Sequence, residues 1–549
     1  MMWSTTAHIL APSLAGCAYF YYCDPRGHLV LIATLSTYSI LAVQDYLALG
    51  SIPHAAYHAL LAVAAQMLLV TLAVVAYRLS PLHPLWKFPG PMLERITSLR
   101  MAYFANTGRR TPYVAELHEK YGTFVRIGPN KLSIKSVDAI HPIYASAQAF
   151  DKAISYRMGL IQNNSLFFLR DKPAHGRSKR VWSGALTNHA INQWDGPMEN
   201  RTTQLIDCMA RRQDSSGVVD LSTCFQHWSF DFDGDWALGE GQHDSIEFMR
   251  DGDPAGVVES GEQAILMLET FGEVPALFDI ISSLPINDGY LKLEKLAHKE
   301  LRKRLKTDTQ NGWDLFSFLM AQRDDYTQAP MNETDLHTSA VLAFDAGGDT
   351  TAGFLSLTMF HLLHNRSSYI KLRQELDDTF PSGELTAEQH AALADLPYLG
   401  AVVNEGLRVG AAFPGFPRVV PPGGALLAGQ FVPGGTIVGV PSFAVHTDPA
   451  NFWPEPCAFR PERWFEDGLG PGTVTRREAF MAFQFGPFRC VGKGLALREM
   501  HVVLSRLLLA YDLEFAPDFD PEAFLKGWSN TRTNVIRYHL RVQAKRRQR

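Results

Sequence analysis

The chain has 549 residues, a formal net charge of −5 and a pI near 6.4. This balance gives no global basic field of the kind that draws a protein to nucleic acid, so we expect no nucleic-acid partner. The six cysteines are few and widely spaced, which argues against a small disulfide scaffold and a structural zinc site and favours a reducing compartment.

Apolar stretches dominate the N-terminal region. Residues 1–22 and 28–44 carry no Asp, Glu, Lys or Arg, and residues 55–77 form a longer apolar run. A helix needs about 20 such residues to cross a bilayer core roughly 30 Å thick, so the third stretch predicts a span and the first two are candidates. A cleaved signal peptide is the alternative, but no basic segment precedes the apolar residues. We therefore predict a retained lipid-bilayer anchor over residues 1–79, with one to three transmembrane helices.

The residues after the anchor predict its orientation and a domain boundary. Arg78, Lys87 and Arg95 follow the third stretch closely, and the positive-inside tendency then places the rest of the chain in the cytoplasm. Residues 80–91 are rich in proline, which predicts a stiff, extended connector. Residues 92–549 contain neither a fixed-period repeat nor a low-complexity block, so we predict one globular body.

The hydrophobic patterns of this body predict mainly α-helical structure with a minor β region. Long helices are expected at 334–364, 366–379 and 396–409, and a short helix is expected to end at Gly122. The remaining patterns predict strands, at 123–134 around a Gly-Pro turn and at 419–441 between Pro and Gly pairs.

The stretch "LAFDAGGDTTAGF", residues 342–354, is unusual for the interior of an apolar helix. Its two adjacent glycines cost about 1 kcal/mol each relative to alanine, so something must offset that cost. Threonines in helices commonly bond back to the carbonyl four residues earlier. That habit explains neither the glycines nor Asp349, the acid beside Thr350.

Two charged residues in "NEGLR" lie on one helix face. Glu405 and Arg408 are three residues apart, so they can form a charge-assisted pair. A solvated helix offers such pairs as well, and an isolated exposed pair adds little stability.

The stretch "FQFGPFRCVGKGLALRE", residues 483–499, places Cys490 between two glycines and directly before a helical run. A thiolate is stabilised where backbone N–H groups and a helix N-terminus point at it. Gly486 and Gly492 would let the backbone approach a flat ligand, and Phe483 would cover the sulfur. The pattern predicts a metal-ligating thiolate, and the alternative is a turn that happens to contain a cysteine.

This loop resembles the cysteine loop of the cytochrome P450 family of haem-thiolate monooxygenases. Phe483, Gly486, Cys490 and Gly492 match the family pattern in register. The family's arginine, which pairs with a haem propionate, has no match, because Phe488 occupies its place and the chain's arginine stands one residue later. The resemblance implies that Cys490 is the axial ligand of the haem iron.

The resemblance extends to the rest of the cofactor site. Arg463 in "FRPERW" would complete a structural Glu-Arg-Arg cluster with Glu405 and Arg408. Arg418 matches a propionate-binding arginine, and His175 and Lys179 in "HGRSKR" match the helix that supplies further propionate contacts, with lysine in place of arginine.

On the oxygen side, the resemblance assigns roles to the glycine-containing helix. Ala346 and Gly347 would open a widened turn above the haem, where Asp349 and Thr350 would relay protons to the oxygen. Asp345 would border the substrate pocket, where an apolar residue is usual; it would hold a substrate hydroxyl or amine, or pair with a neighbouring helix. The pocket candidates are Phe344, Phe413 and Phe416.

Membership of this family implies a triangular helical prism around a buried haem b. The protein would resemble fungal microsomal members: a monomer anchored in the endoplasmic reticulum membrane, with its catalytic domain facing the cytoplasm. It would insert one oxygen atom from O2 into an apolar small molecule, such as a terpenoid or another secondary metabolite.

The source of electrons follows from what the sequence lacks. It contains no Gly-rich dinucleotide fingerprint and no second cysteine set for an iron–sulfur cluster, so electrons from NADPH would come through a separate NADPH–cytochrome P450 reductase. Basic residues on the cysteine side of the haem would meet this acidic flavoprotein. They are Lys179, Arg180, Arg489, Lys493 and Arg498.

Two other functions stay open at this point. Within the same fold, the enzyme would isomerise or dehydrate its substrate without external electrons, although the Asp349-Thr350 pair argues against it. In a different class, the apolar segments would belong to a membrane transport or scaffold protein with an inert globular part.

Overall fold

The computed structural model of the protein describes residues 26–146, 148–159, 163–240, 247–283, 288–306, 312–323, 330–411, 413–530 and 533–548. The first predicted apolar stretch, residues 1–22, lies outside these ranges. Within them, the chain is mainly helical, with small sheets at the edges of the helical body. This agrees with the fold class that the sequence predicts.

The α-helices divide into an N-terminal pair and those of the body. The pair is α1 (Gly27–Leu49) and α2 (Ile52–Leu79). The body contains α3 (Met92–Ile96), α4 (Leu99–Asn106), α5 (Arg110–Tyr121), α6 (Lys172–Gly184), α7 (Asn188–Asn192), α8 (Asp195–Arg212), α9 (Leu221–Leu238), α10 (Phe248–Asp251), α11 (Val257–Gly272), α12 (Pro275–Ile281), α13 (Asp288–Arg304), α14 (Leu315–Ala321), α15 (Glu333–His364), α16 (Arg366–Thr379), α17 (Pro397–Val409), α18 (Ser442–His446), α19 (Lys493–Ala510) and α20 (Pro521–Gly527). The long predicted helices correspond to α15, α16 and α17.

The strands form short sheets. They are β1 (Phe124–Gly128), β2 (Lys131–Ile134), β3 (Asp151–Lys152), β4 (Val218–Asp220), β5 (Arg418–Val419), β6 (Ala425–Leu427), β7 (Gln430–Val432), β8 (Ile437–Gly439), β9 (Phe452–Trp453), β10 (Val474–Thr475), β11 (Tyr511–Phe515), β12 (Trp528–Asn530), β13 (Asn534–Ile536) and β14 (Arg541–Arg546). The largest sheet has the order β1-β2-β8-β5-β3. At its edge, Lys152 of β3 lies opposite Arg418 of β5. This register brings two cations together.

The N-terminal helices form an apolar hairpin. Both α1 and α2 are long and apolar enough to cross a membrane, with mean hydropathy of 1.4 and 2.5 in their most apolar windows, and most of their large side chains are exposed. Tyr38 donates a hydrogen bond to Gln66 between the two helices. At the base of α1, the Gly27 N–H group donates to Asp279 of α12 at 3.0 Å. This contact joins the hairpin to the body.

The prediction of an extended connector is wrong. Residues 80–91 form successive turns, and Leu85 and Phe88 are buried in the same hydrophobic cluster as the largest sheet. The Phe88 ring packs against Phe124 of β1, with ring centroids 5.6 Å apart. The prolines prevent a continuous helix, but the apolar residues between them fold the segment back onto the sheet.

The centre of the body is the pair α9 and α15. Most residues of α9 are buried, including its charged ones, and α15 is a 32-residue helix that also contacts α13, α17 and α19. Because α9 covers one side of α15 and α19 another, the chemistry-bearing middle of α15 is held against both helices.

Candidate active site

A cavity separates the middle of α15 from the loop that carries Cys490. Its empty volume is about 1820 Å³, which includes space that is open to solvent. Its wall includes most of the predicted site residues: His175, Lys179, Asp345, Ala346, Gly347, Thr350, Phe413, Phe416, Arg418, Phe483, Cys490 and Gly492. The fold therefore brings together segments that lie more than 300 residues apart in the chain.

The cysteine loop is held by backbone contacts. The Cys490 N–H group donates to the Phe483 carbonyl at 2.9 Å. Gly486 has φ +69°, and a Cβ atom there would lie 2.0 Å from the Tyr144 carbonyl oxygen. The packing of the loop against Tyr144 therefore requires glycine at position 486. The role of Gly486 beside a flat ligand stays a prediction. A Cβ atom on Gly492 would lie 3.9 Å from the Cys490 sulfur.

The surroundings of Cys490 act on its thiol in opposite directions. Its side chain is exposed to the cavity, at the start of α19. Burial raises the pKa of the thiol, although the N–H groups of Gly492 and Lys493 and the ammonium group of Lys179 act to lower it. A bound metal cation adds the positive charge that deprotonates a coordinating thiol.

Lys179 braces this loop. Its Nζ atom donates to the carbonyls of Pro487 at 2.7 Å and Arg489 at 3.1 Å. Burial, followed by the charge of Arg489, lowers the pKa of Lys179 to about 8, and Cys490 partly opposes this. The lysine therefore lies at the cavity, but its hydrogen bonds go to the cysteine loop.

Cations line the side of the cavity next to β3 and β5. Arg418 is 1% exposed, and no described carboxylate lies within ion-pair distance of it. Its guanidinium group lies 5.0 Å from the Phe488 ring centroid, and the Lys152 Nζ atom lies 4.9 Å from the same ring. His175 packs edge-on against Phe488, and burial lowers its pKa to about 3, so it is neutral at pH 7.

Lys152 is a site residue that sequence reasoning missed. It is buried, lines the cavity, and donates to the Phe167 carbonyl at 2.7 Å. Only the register of β3 against β5 places it beside Arg418. A two-residue edge strand gives no sequence signal strong enough to predict that register.

The predicted Glu-Arg-Arg cluster is assembled and fully buried, away from the cavity wall. Glu405 accepts hydrogen bonds from Arg408 at 2.8 Å through both oxygens and from Arg463 Nε at 2.9 Å. Burial alone would raise the pKa of Glu405, but these two arginines hold it below its usual value. His446 joins the Arg408 carbonyl, at 3.0 Å, to the Met481 N–H group, at 2.9 Å, nine residues before the cysteine.

The middle of α15 differs from the expected widened turn. The helix is uninterrupted α-helix through this stretch. The glycines instead allow close packing against α9, because a Cβ atom on Gly347 would lie 2.5 Å from Asp233 Oδ1 and one on Gly348 would lie 3.0 Å from the Phe230 ring. Close packing of two helices is thus the feature that offsets the cost of the glycines.

Thr350 and Asp349 occupy different faces of α15. Thr350 lines the cavity, and its hydroxyl donates to the Ala346 carbonyl at 2.8 Å. Asp349 lies behind the wall, and both its carboxyl oxygens are buried without a hydrogen-bond partner among the described residues. Burial, with the charges of Asp345 and Glu262, raises the pKa of Asp349 well above its usual value.

A second acidic pair, which the sequence reasoning missed, borders the same stretch. Asp233 of α9 and Glu499 of α19 both line the cavity and are both 2% exposed. Glu499 accepts a hydrogen bond from the Thr351 hydroxyl at 2.8 Å. Burial, with the charge of Glu499, raises the pKa of Asp233 well above its usual value. The available signal was the acid-rich "DFDGD" within an otherwise apolar helix.

Only some of the residues predicted to line the substrate pocket lie at the cavity. Phe413 and Phe416 line the cavity and stack on each other, with centroids 4.6 Å apart. Phe344 is 2% exposed in the main hydrophobic core and is not part of the cavity wall. Asp345 lines the cavity.

These residues fit a haem. A thiol faces an aromatic-lined cavity, and Arg418, which is buried and has no carboxylate partner among the described residues, could bind an acid group of the cofactor. At two positions where the family has further arginines, this chain has Lys179, which donates to a loop carbonyl, and Phe488, whose ring lies beside Arg418.

Comparison with known proteins agrees with this geometry. The profile of the cytochrome P450 family matches residues 90–539. The chain is 31% identical over 466 residues to the cytochrome P450 monooxygenase aclL of Aspergillus oryzae, which covers 81% of this chain and 91% of that protein. It is 32% identical over 484 residues to the cytochrome P450 monooxygenase lnbC of Aspergillus flavus, with 82% and 90% covered. Identity to cytochrome P450 67 of Uromyces fabae is 28% over 554 residues, with 96% and 95% covered.

The profile spans the cavity, the cysteine loop and the buried cluster, and so covers all the elements of the site. The family implies a haem cofactor and a reaction with O2. The chain therefore belongs to the cytochrome P450 family and is an oxidoreductase of the haem-thiolate monooxygenase type, resembling fungal members.

Proposed function

We propose that this monooxygenase is membrane-bound and inserts one oxygen atom from O2 into an apolar small molecule. The observation that supports this most strongly is the position of Cys490, exposed to a largely apolar cavity opposite Thr350 of the central helix. When bound, haem supplies iron for oxygen activation, and thiolate donation favours cleavage of the O–O bond. A terpenoid or another secondary metabolite stays a prediction for the substrate.

The residues on the cysteine side would hold the cofactor. Cys490 is the proposed axial ligand, with the N–H groups of Gly492 and Lys493, at the start of α19, directed at its sulfur. Arg418 and His175, with Lys152, are proposed to hold the acid groups of the cofactor, since they combine burial with positive charge or a neutral imidazole donor. Lys179 would act indirectly, by fixing the loop carbonyls.

The residues on the other side would handle protons. We assign Thr350, whose hydroxyl lines the cavity, to holding a proton at the oxygen site, and Asp349 to supplying it. Asp349 has no cation partner among the described residues, and burial raises its pKa well above its usual value, which favours the protonated carboxyl group. The surrounding apolar wall would limit access of water.

We further propose that electrons come from NADPH through a separate reductase. The exposed Arg180 and Lys493 support a docking surface on the cysteine side. Arg498 contributes less than expected, because it forms a two-bond ion pair with Asp195 at 2.5 and 2.7 Å. Anchoring by α1 and α2 in the endoplasmic reticulum membrane, with residues 92–549 in the cytoplasm, agrees with the basic residues after α2.

The decisive experiment is a spectrum of the full chain in detergent. The reduced carbon monoxide complex should show the thiolate-type absorption, and Cys490→Ser should abolish it. Cys457→Ser, which changes an exposed cysteine elsewhere, should leave it intact. A Cys490→Ser protein with full haem and an unchanged spectrum would overturn the assignment.

Two further measurements separate the other functions. Product formation without reductase and NADPH would establish an isomerase or dehydratase. Deletion of residues 1–79 should leave the haem spectrum intact in an enzyme, whereas a transport or scaffold protein would lose its function.

A further inference from the structure

Asp345 borders the cavity from the centre of α15 and has no partner of opposite charge among the described residues. Its Oδ1 atom is buried and accepts no hydrogen bond. Burial raises its pKa to about 7, and no cation acts to lower it. The alternative that this acid pairs with a neighbouring helix is therefore not what the described residues show.

Asp345 faces a glycine, Gly261, on the neighbouring helix α11. A Cβ atom on Gly261 of α11 would lie 3.3 Å from Asp345 Oδ1, so this glycine leaves space for the carboxyl group without bonding to it. Asp345 itself lines the cavity, and the residue is only partly buried. The carboxyl group thus reaches the space that a substrate would fill.

Two more acids lie behind it. Asp349 stands one turn further along α15, and Glu262 of α11 is paired with the neutral side chain of Gln226, at 2.7 Å. Glu262 and Asp345 both act to raise the pKa of Asp349. Among the described residues, no cation pairs with Asp345 or Asp349 at this end of the cavity.

The cations of the cavity lie elsewhere. Arg418 and Lys152 lie on the sheet that contacts the cysteine loop, where the proposed cofactor would occupy them. Around Asp345 the wall is apolar, and it includes Ile265, Leu268 and Leu342. A ligand here would need an apolar body and one polar group directed at Asp345.

We propose that Asp345 binds a protonated amine, so that the substrate is an apolar molecule with a basic nitrogen. A buried carboxylate is costly unless it is paired, and an ammonium group supplies both the opposite charge and a charge-assisted hydrogen bond. A hydroxyl group supplies only the hydrogen bond. This inference rests on the proposed function, since the pocket is the one proposed for the substrate.

The test compares matched ligands on the haem-loaded full chain. The probes are tertiary N,N-diisopropyl amines with aryl or terpene chains, whose crowded nitrogen is hindered from reaching iron, each paired with the hydrocarbon in which C–H replaces the protonated nitrogen. Dissociation constants come from equilibrium dialysis, which does not depend on turnover. At least one amine should bind about 10- to 100-fold more tightly than its hydrocarbon.

Two variants locate this preference. Asp345→Asn keeps the shape of the side chain but removes its charge. It should reduce the preference to less than about threefold, because the charge-assisted hydrogen bond is lost. Glu262→Gln removes one charge from the same acidic group but not from the cavity wall, so most of the preference should remain.

The inference is overturned if no amine binds more tightly than its hydrocarbon, or if Asp345→Asn keeps the preference. A preference for alcohols over amines would assign the hydroxyl role instead. The carbon monoxide spectrum is recorded on each sample, so a failed amine preference with an intact thiolate spectrum counts against this inference alone. Loss of the spectrum in the unaltered chain would count against the proposed function.

Discussion

The buried Glu405 cluster gives the sharpest stability prediction. Glu405, Arg408 and Arg463 have fully buried side chains, and the single carboxylate also accepts hydrogen bonds from the Arg460 N–H group at 2.8 Å and from the Trp464 ring at 3.1 Å. Glu405→Gln removes the only carboxylate of this group. It also turns one acceptor into an NH2 donor that faces the N–H donors of the arginines.

The magnitude follows from burial. Removing one partner from a buried ion pair leaves uncompensated charge and costs about 3–5 kcal/mol, which exceeds a hundredfold change in the folding equilibrium. Glu455 provides the matched control, since its ion pair with Arg460 has side chains that are 54% and 41% exposed. Glu455→Gln should cost about 0–1 kcal/mol because water screens this pair.

The assay is guanidinium unfolding of the full chain in detergent, followed by tryptophan fluorescence and by haem absorbance. Glu405→Gln should shift both transitions to lower denaturant, and the haem signal should change first because His446 connects Arg408 to the segment before the cysteine loop. The reasoning is refuted if Glu405→Gln lies within about 1 kcal/mol of Glu455→Gln.

Three further predictions concern the cavity and pH. Lys152→Met should release haem to a haem acceptor about 10- to 100-fold faster, as expected for a lost charge-assisted hydrogen bond, whereas Lys172→Met, in an exposed pair, should not. Gly347→Ala should lower the free energy of unfolding by about 1–3 kcal/mol, because the new Cβ atom meets the Asp233 carboxyl group. In an Asp233→Ala background the loss should be smaller, and equal losses in the two backgrounds would contradict this contact. Burial lowers the pKa of His446 to about 4 from 6.5, so the unfolded chain binds more protons between these values and the free energy of unfolding should fall as pH falls from 7 to 5; a flat profile would contradict this.

The sequence predicted the fold where local patterns decide it. The predicted helix at 366–379 matches the bounds of α16, and the predicted helix at 334–364 differs from α15 by one residue. The first has an apolar face, and the second is a long, mostly apolar run that is buried around most of its circumference. The segment 80–91 was misjudged, because proline content limits helix but says nothing about where Leu85 and Phe88 pack.

For the site, residues within one motif were easier to predict than residues brought together by packing. The position of Cys490 at the cavity and the contacts of the Glu405 cluster could be predicted, because each motif carries its chemistry in short stretches of sequence. Lys152, Asp233 and Glu499 were missed because their role arises only when β3, α9 and α19 meet the cavity. The sequence around each of these residues does not indicate which groups the fold will bring next to it.

The separation of charge within one cavity connects these observations. Arg418 lies at the cysteine end without a described carboxylate partner, while Asp345 of α15 and Asp233 of α9 lie on the other side without a described cation partner. The two sets would be cheaper to bury if they met each other, since each would satisfy the other. The packing of α15 between α9 and α19 keeps them apart, so each set is left for a ligand: an anionic cofactor edge at one end, and protons or a cationic group at the other. The cost of holding the charges apart is offset only when those ligands bind, which makes this cavity a place where binding and folding stability are coupled.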